Sequence, residues 1–76
     1  MTNVPDAVRK IWTEIYVLFD KHYQMENTAE SWNQFWEDVR EVYHRNGNNQ
    51  RILDASILLA DCIADRMRER MEKVNA

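Results

Sequence analysis

The chain holds one proline, Pro5, and one glycine, Gly47, so almost nothing in it forces the backbone to turn. An all-β domain needs a turn residue every few positions, and hairpins above all need glycine or Asn-Gly pairs. That class is excluded, and a small set of helices is what remains. Seventy-six residues are too few for two hydrophobic cores, so residues 1–76 are read as a single domain. With 45% hydrophobic and 30% charged residues, the chain can bury a core and is not a disordered segment.

Three helical segments follow from the spacing of apolar residues. In the first, Val8, Ile11, Trp12, Ile15, Tyr16, Phe19, His22 and Tyr23 recur at helical intervals. Leu18 widens this stripe, and Val17 interrupts an otherwise polar opposite face. Asn3 is the expected N-cap, with Pro5 in the first turn and Asp6 placed where the helix dipole favours a carboxylate. The spacing predicts this helix over residues 4–24. In the second, Trp32, Phe35, Trp36, Val39, Val42 and Tyr43 line one face. Asn27 and Glu30 have capping-box spacing, with Thr28 as the competing cap, and Asn46-Gly47 ends the helix, giving residues 28–45. The third runs over residues 49–74 without a breaker.

That third helix is the unusual one. Ile52, Ala55, Ser56, Leu59, Cys62, Ile63, Met67 and Val74 form one broad apolar face, and Leu53, Ile57, Ala60, Ala64 and Met71 form a second beside it. A helix apolar on more than one side is either central or shared with a partner. All eight aromatic residues lie in the first two segments, and the third offers small aliphatic side chains for them to pack against. The expected fold is therefore all-α, a three-helix bundle with antiparallel neighbours and a long third helix whose end, carrying Met67 and Met71 among Arg66, Arg68, Arg70 and Lys73, projects beyond the second.

Charge narrows the function classes. A formal charge of −3 gives no basic excess for neutralising phosphates, so direct nucleic-acid binding is not expected. The segment opening Gln50-Arg51-Ile52-Leu53-Asp54 continues with acidic positions, which a recognition helix would not do. The basic residues Arg66, Arg68, Arg70 and Lys73 alternate with Asp65, Glu69 and Glu72, as on a solvated face laced with ion pairs. No apolar run reaches the ~20 residues of a membrane span, and residues 1–6 lack the basic start and apolar stretch of a signal peptide. The lone Cys62, within an apolar run, is expected to act as a small buried residue in a reducing, cytoplasmic setting.

Catalytic and metal-binding patterns find little purchase. Glu41 and His44 have the Glu-x-x-His spacing of di-iron bundles, but such sites need a second motif and two further carboxylates, and Glu41 falls on the polar face. His22 reads as an end-of-helix residue at the core margin. Cys62 has no histidine near it in sequence, Ser31 and Ser56 belong to no nucleophile turn, and one glycine cannot build a phosphate loop. The paired carboxylates Glu37/Glu41 and Asp61/Asp65 read as solvated faces. No catalytic, cofactor-binding or metal-binding residues are assigned, no cofactor is expected, and the chain is not read as an enzyme.

Residues Ser31-Trp32-Asn33-Gln34-Phe35-Trp36-Glu37-Asp38-Val39, followed by an aliphatic third helix ending Arg68-Glu69-Arg70, give the chain a resemblance to a loose group of short helical proteins of prophages and mobile elements in Firmicutes. The resemblance spans residues 28–73 and rests on aromatic spacing and a charged helix end. It implies an accessory or interaction protein working in the host cytoplasm on a host or phage complex, and it brings no active-site motif.

The functional expectation is a non-catalytic protein–protein interaction module that self-associates through its third helix, most simply as a homodimer. Its candidate interface comprises Trp32, Trp36, Leu53, Ile57, Ala60, Ala64, Met67 and Met71. Partly exposed tryptophans suit such a role because they dominate binding hot spots. The rival expectation is an inhibitor or adaptor of a host nucleic-acid-processing enzyme, presenting Glu30, Glu37, Asp38 and Glu41 to a basic groove.

Overall fold

The computed structural model describes residues 4–75, with side chains through residue 69. It is an all-α bundle of three helices, α1 (Asp6–His22), α2 (Ala29–Arg45) and α3 (Gln50–Asn75), and no strand occurs among the described residues. Each helix packs on both others. The connections, residues 23–28 and 46–49, are short enough to make consecutive helices antiparallel. Consequently α1 and α3 run parallel: Val8 and Trp12 lie beside Arg51 and Leu58 at one end, and Tyr23 lies under Arg66 at the other.

The helix ends follow from local chemistry. At the start of α1 the Pro5 carbonyl accepts from the N–H groups of Val8 and Arg9 at 3.1 and 3.0 Å. Pro5 thus stands in the cap position, one step earlier than the first-turn place read from sequence. The expected cap, Asn3, lies outside the described residues. Of the two caps weighed for α2, Thr28 takes the position: its Oγ1 accepts the Ser31 N–H at 3.1 Å. Asn27 is occupied elsewhere, with Oδ1 accepting from the Trp32 indole at 3.0 Å.

The α2–α3 turn is a Schellman closure. Gly47 donates to the His44 carbonyl at 3.1 Å and Asn48 to the Tyr43 carbonyl at 2.9 Å, with Gly47 at φ +71° and Asn48 at φ +58°. A side chain at residue 47 would meet nothing within 4 Å, so its cost is purely that of left-handed backbone. Gly47→Ala is expected to lower stability by about 1 kcal/mol, measured by chemical denaturation. An unchanged midpoint would mean that the turn relaxes to another conformation.

The core comprises Ile11, Ile15 and Leu18 from α1, Phe35, Val39 and Val42 from α2, and Ile52, Ile63 and Met67 from α3. Buried Ser56 keeps its hydroxyl satisfied by donating to the Ile52 carbonyl at 2.6 Å. Three expectations are corrected here. The buried line of α1 is Ile11, Ile15, Leu18 and His22, while Trp12 and Tyr16 stand 62% and 67% exposed at the edge of the stripe. Cys62 is exposed, because it lies on the flank of α3 that α1 leaves open. The projecting end of α3 also begins later than expected. Met67 is a core residue, since Tyr23 and Met25 at the α1–α2 connection pack against the same cluster. Met71, Val74, Arg70 and Lys73 have side chains outside the described part. Among the described residues no helix is long and apolar enough to cross a membrane.

Candidate functional site

Packing three helices leaves uncovered flanks, and the one between the parallel pair α1/α3 is apolar. Val8, Ile11, Trp12 and Ile15 of α1 face Ala55, Leu58 and Leu59 of α3 across an open groove of about 350 Å³. Ile11 and Ile15 form its floor as core residues, whereas Trp12 and Leu58, the latter 64% exposed, form its walls. Tyr16 continues the Trp12 wall one turn further along α1. Arg51 and Asp54 supply the polar rim on α3. Isolated apolar residues on a surface are ordinary, but large ones converging on a groove mark a contact surface.

The residues singled out from sequence are divided by the fold. Trp36, 38% exposed, and half-buried Leu53 line a second groove between α2 and α3, with Arg40, Tyr43 and His44. Ala60 and Ala64 are half-buried and Ile57 is 57% exposed on the α3 flank nearest α2. Trp32 is half-buried: its ring meets Phe35 edge-on at 5.9 Å, and its N–H is bound to Asn27. Met67 belongs to the core, and Met71 lies outside the described side chains. The groove residues Trp12 and Leu58 were missed. Their signal was present, since α1 carries more apolar positions than one buried line of a helix requires.

The acidic face is likewise divided. Glu30, Glu37 and Glu41 are exposed, and Glu41 pairs with Arg45 at 3.7 Å. Asp38 is corrected from that face to the seam between α1 and α2, where its side chain is half-buried, 15% exposed. Oδ2 accepts from Lys21 Nζ and His22 Nε2, each at 2.8 Å, and Oδ1 accepts from Gln34 Nε2 at 3.0 Å. Burial alone would raise the Asp38 pKa, but these hydrogen bonds, with the charge of Lys21, together hold it below its ordinary 3.8. Because an ionised carboxylate only accepts, the proton of His22 sits on Nε2. His22 is therefore a structural tie between α1 and α2, stacked edge-on against Phe35 at 5.3 Å.

A second tie lies at the far end of the same helix pair. Glu14 accepts from Arg45 Nε at 3.1 Å and from Asn46 Nδ2, closing the end of α2 onto α1. Arg66 closes the other end of the bundle, with Nη2 donating to the Met25 carbonyl at 2.9 Å and its guanidinium 5.4 Å from the Tyr23 ring centre. Asp38, Glu14 and Arg66 thus hold helices together, while Nε and Nη1 of Arg66 are buried without a hydrogen-bond partner. His44 Nδ1 is 2.8 Å from Asn48 Oδ1, and the Glu41 carboxylate turns to Arg45. No group of three or more His, Cys, Asp or Glu side chains suited to a metal ion occurs among the described residues.

No family model matches the chain, and neither a curated protein nor a solved structure matches it.

Proposed function

We propose that this protein works by protein–protein contact and not by catalysis, docking an apolar helical surface in the groove between α1 and α3. The observation that supports this reading most is the pairing of Trp12 and Leu58, both more than 60% exposed, across one groove whose floor is continuous with the core. Exposing two large side chains to water on facing helices forgoes the burial each could otherwise gain, about 1.5–3 kcal/mol apiece. A covering surface recovers it. The self-association expected of the third helix is retained, with its centre moved from the Leu53–Ala64 flank to the Leu58 flank. An accessory role of the phage or mobile-element kind is compatible with this reading.

The rival adaptor reading would use Glu30, Glu37 and Glu41, since Asp38 is already bound within the bundle. Photo-crosslinking in the producing cells separates the two. With benzoylphenylalanine replacing Trp12 or Leu58, discrete crosslinked species are expected, and replacement of Glu37 is expected to give none. Crosslinks from residue 37 alone would transfer the working surface to the acidic face of α2.

A further inference from the structure

We infer that Asn46-Gly47 is a site of spontaneous covalent modification, the conversion of Asn46 to aspartate or isoaspartate, which the folded turn holds back and whose product opens the end of α2 tied to α1. The chemistry is that of a side-chain amide followed by a residue with no side chain to hinder attack. The Gly47 amide nitrogen loses its proton to solvent and bonds to Cγ of Asn46, and Nδ2 leaves as ammonia after gaining a proton from water. Water then breaks one of the two C–N bonds of the resulting succinimide ring. Cleavage at Cγ gives aspartate in an ordinary backbone. Cleavage at the Asn46 backbone carbonyl gives isoaspartate, with the chain running through the side chain. Asn48 and Asn49 are followed by Asn49 and Gln50, whose side chains hinder the same attack.

Both reacting groups are engaged in the folded turn. Asn46 Nδ2 donates to the Glu14 carboxylate and to the Val42 carbonyl, the latter at 2.8 Å. The Gly47 N–H donates to the His44 carbonyl at 3.1 Å, and the next N–H, of Asn48, to the Tyr43 carbonyl at 2.9 Å. The backbone angle is wrong as well. Ring closure needs the Gly47 nitrogen eclipsed with Cβ about the Asn46 Cα–C bond. At the observed ψ of 29° that nitrogen lies nearly opposite Cβ. Reaction therefore requires a rotation that breaks the Schellman bonds and draws Asn46 away from Glu14, a local opening of the turn. Gly47 is exposed, so water reaches the site once it opens.

The product does not remake these contacts. Aspartate at residue 46 loses both donated hydrogen bonds and sets a carboxylate against that of Glu14, which is only 17% exposed. It also places negative charge at the C-terminal end of α2, where the helix dipole disfavours it. Isoaspartate adds a carbon to the backbone inside the closure, so the Gly47 and Asn48 donors lose their spacing from the carbonyls of His44 and Tyr43. A turn that opens briefly is thus converted, irreversibly, into one that stays open where the α2–α3 connection is held to α1.

The full chain is incubated in neutral buffer, with and without denaturing urea, and cut with trypsin, which releases residues 46–51 between Arg45 and Arg51. Mass spectrometry reads the amide-to-carboxyl shift, and isoaspartyl methyltransferase labels the isoaspartate. Asn46 is expected to react at least about tenfold faster in urea than in the native chain. Glu14→Ala frees the Asn46 amide from a charged acceptor. It is expected to raise the native rate about tenfold and to leave the rate in urea unchanged. Ile63→Val weakens the core without touching the turn, and its native rate should match that of the parent chain. Asn46→Asp should lower the urea midpoint of unfolding. Adding Glu14→Gln to it should recover part of the loss, because an amide at residue 14 donates to the new carboxylate. Equal rates with and without urea, reaction chiefly at Asn48 or Asn49, or an Asn46→Asp midpoint equal to the parent's would each overturn the inference. A native rate raised as much by Ile63→Val as by Glu14→Ala would overturn the turn as the gate.

Discussion

Phe35→Ala is expected to lower the unfolding free energy by about 3–5 kcal/mol, the range for deleting a fully buried phenylalanine ring. Phe35 is 0% exposed. Its ring is met edge-on by three others, His22 at 5.3 Å, Trp32 at 5.9 Å and Trp36 at 4.9 Å, an arrangement that adds to simple burial. A chain of this length has a total stability of about 4–11 kcal/mol at typical per-residue values. Loss of the ring therefore removes between about a quarter and all of it. The surrounding helices cannot close the space cheaply, because the neighbouring His22 is tied to Asp38 and the Trp32 ring to Asn27. Trp36→Ala, one residue along but 38% exposed, should cost less than half as much. Urea denaturation followed by circular dichroism compares the two directly. Equal losses would mean that the bundle is not organised around Phe35.

The contrast between Phe35 and Trp36 also shows what a sequence of this kind conveys. Helix existence, order and ends were legible because they depend on neighbours in the chain. The Asn46-Gly47 pair had to adopt left-handed geometry, and the uninterrupted stretch after residue 49 had to continue as one helix. Boundaries moved by two residues at most, with α1 spanning Asp6–His22 instead of 4–24. Which side of each apolar stripe turns inward was not legible. On α1 the line Ile11–Ile15–Leu18 and the line Trp12–Tyr16 are adjacent and both apolar. The choice between them depends on where α2 and α3 lie, which no local pattern encodes. The aliphatic line won the interior and left the larger rings at the edge.

The same reasoning explains the candidate site. On α3 the apolar arc is wide because this helix touches two neighbours, and the core line Ile52–Ile63–Met67 runs between two flanks. Periodicity showed two stripes but not how far each neighbour covers them. One flank holds Leu53, Ala60 and Ala64, all half-buried. The other ends at Leu58 and Cys62, which α1 does not reach. A cysteine inside an apolar run was therefore read as buried although it sits at the limit of coverage. Asp38 gave the opposite surprise, a carboxylate on an apparently polar face drawn inward by donors from α1. Its partners Lys21 and His22 are seventeen and sixteen residues away, a relation that no local spacing rule can detect.

That carboxylate gives the second large effect, and its sign follows from linkage. Asp38 is held below its ordinary pKa of 3.8 in the folded chain, so the unfolded state binds more protons as the solution is acidified. Its contribution is complete above the ordinary carboxylate range, at about pH 5 and higher. It is lost as the pH falls through the lower value of the folded state. Removing the acceptor altogether should be costlier than acid, since Asp38→Ala leaves the largely buried His22 donor unmatched beside Phe35. Hydrogen bonds to a charged partner are worth about 1.5–3 kcal/mol, and an orphaned buried donor adds a cost of similar size. A loss of about 3 kcal/mol at pH 7 is therefore expected for Asp38→Ala. Asp38→Asn keeps one acceptor oxygen for His22 and should lose about half that. Other carboxylates, Glu14 among them, also titrate in acid, so the informative quantity is the gap between the unmodified chain and Asp38→Asn across pH 3–7. That gap should shrink below about pH 5 as the native Asp38 takes up its proton. A gap that widens in acid would show that Asp38 is ionised more readily in the unfolded chain, and that the ties to Lys21, His22 and Gln34 do not stabilise the bundle.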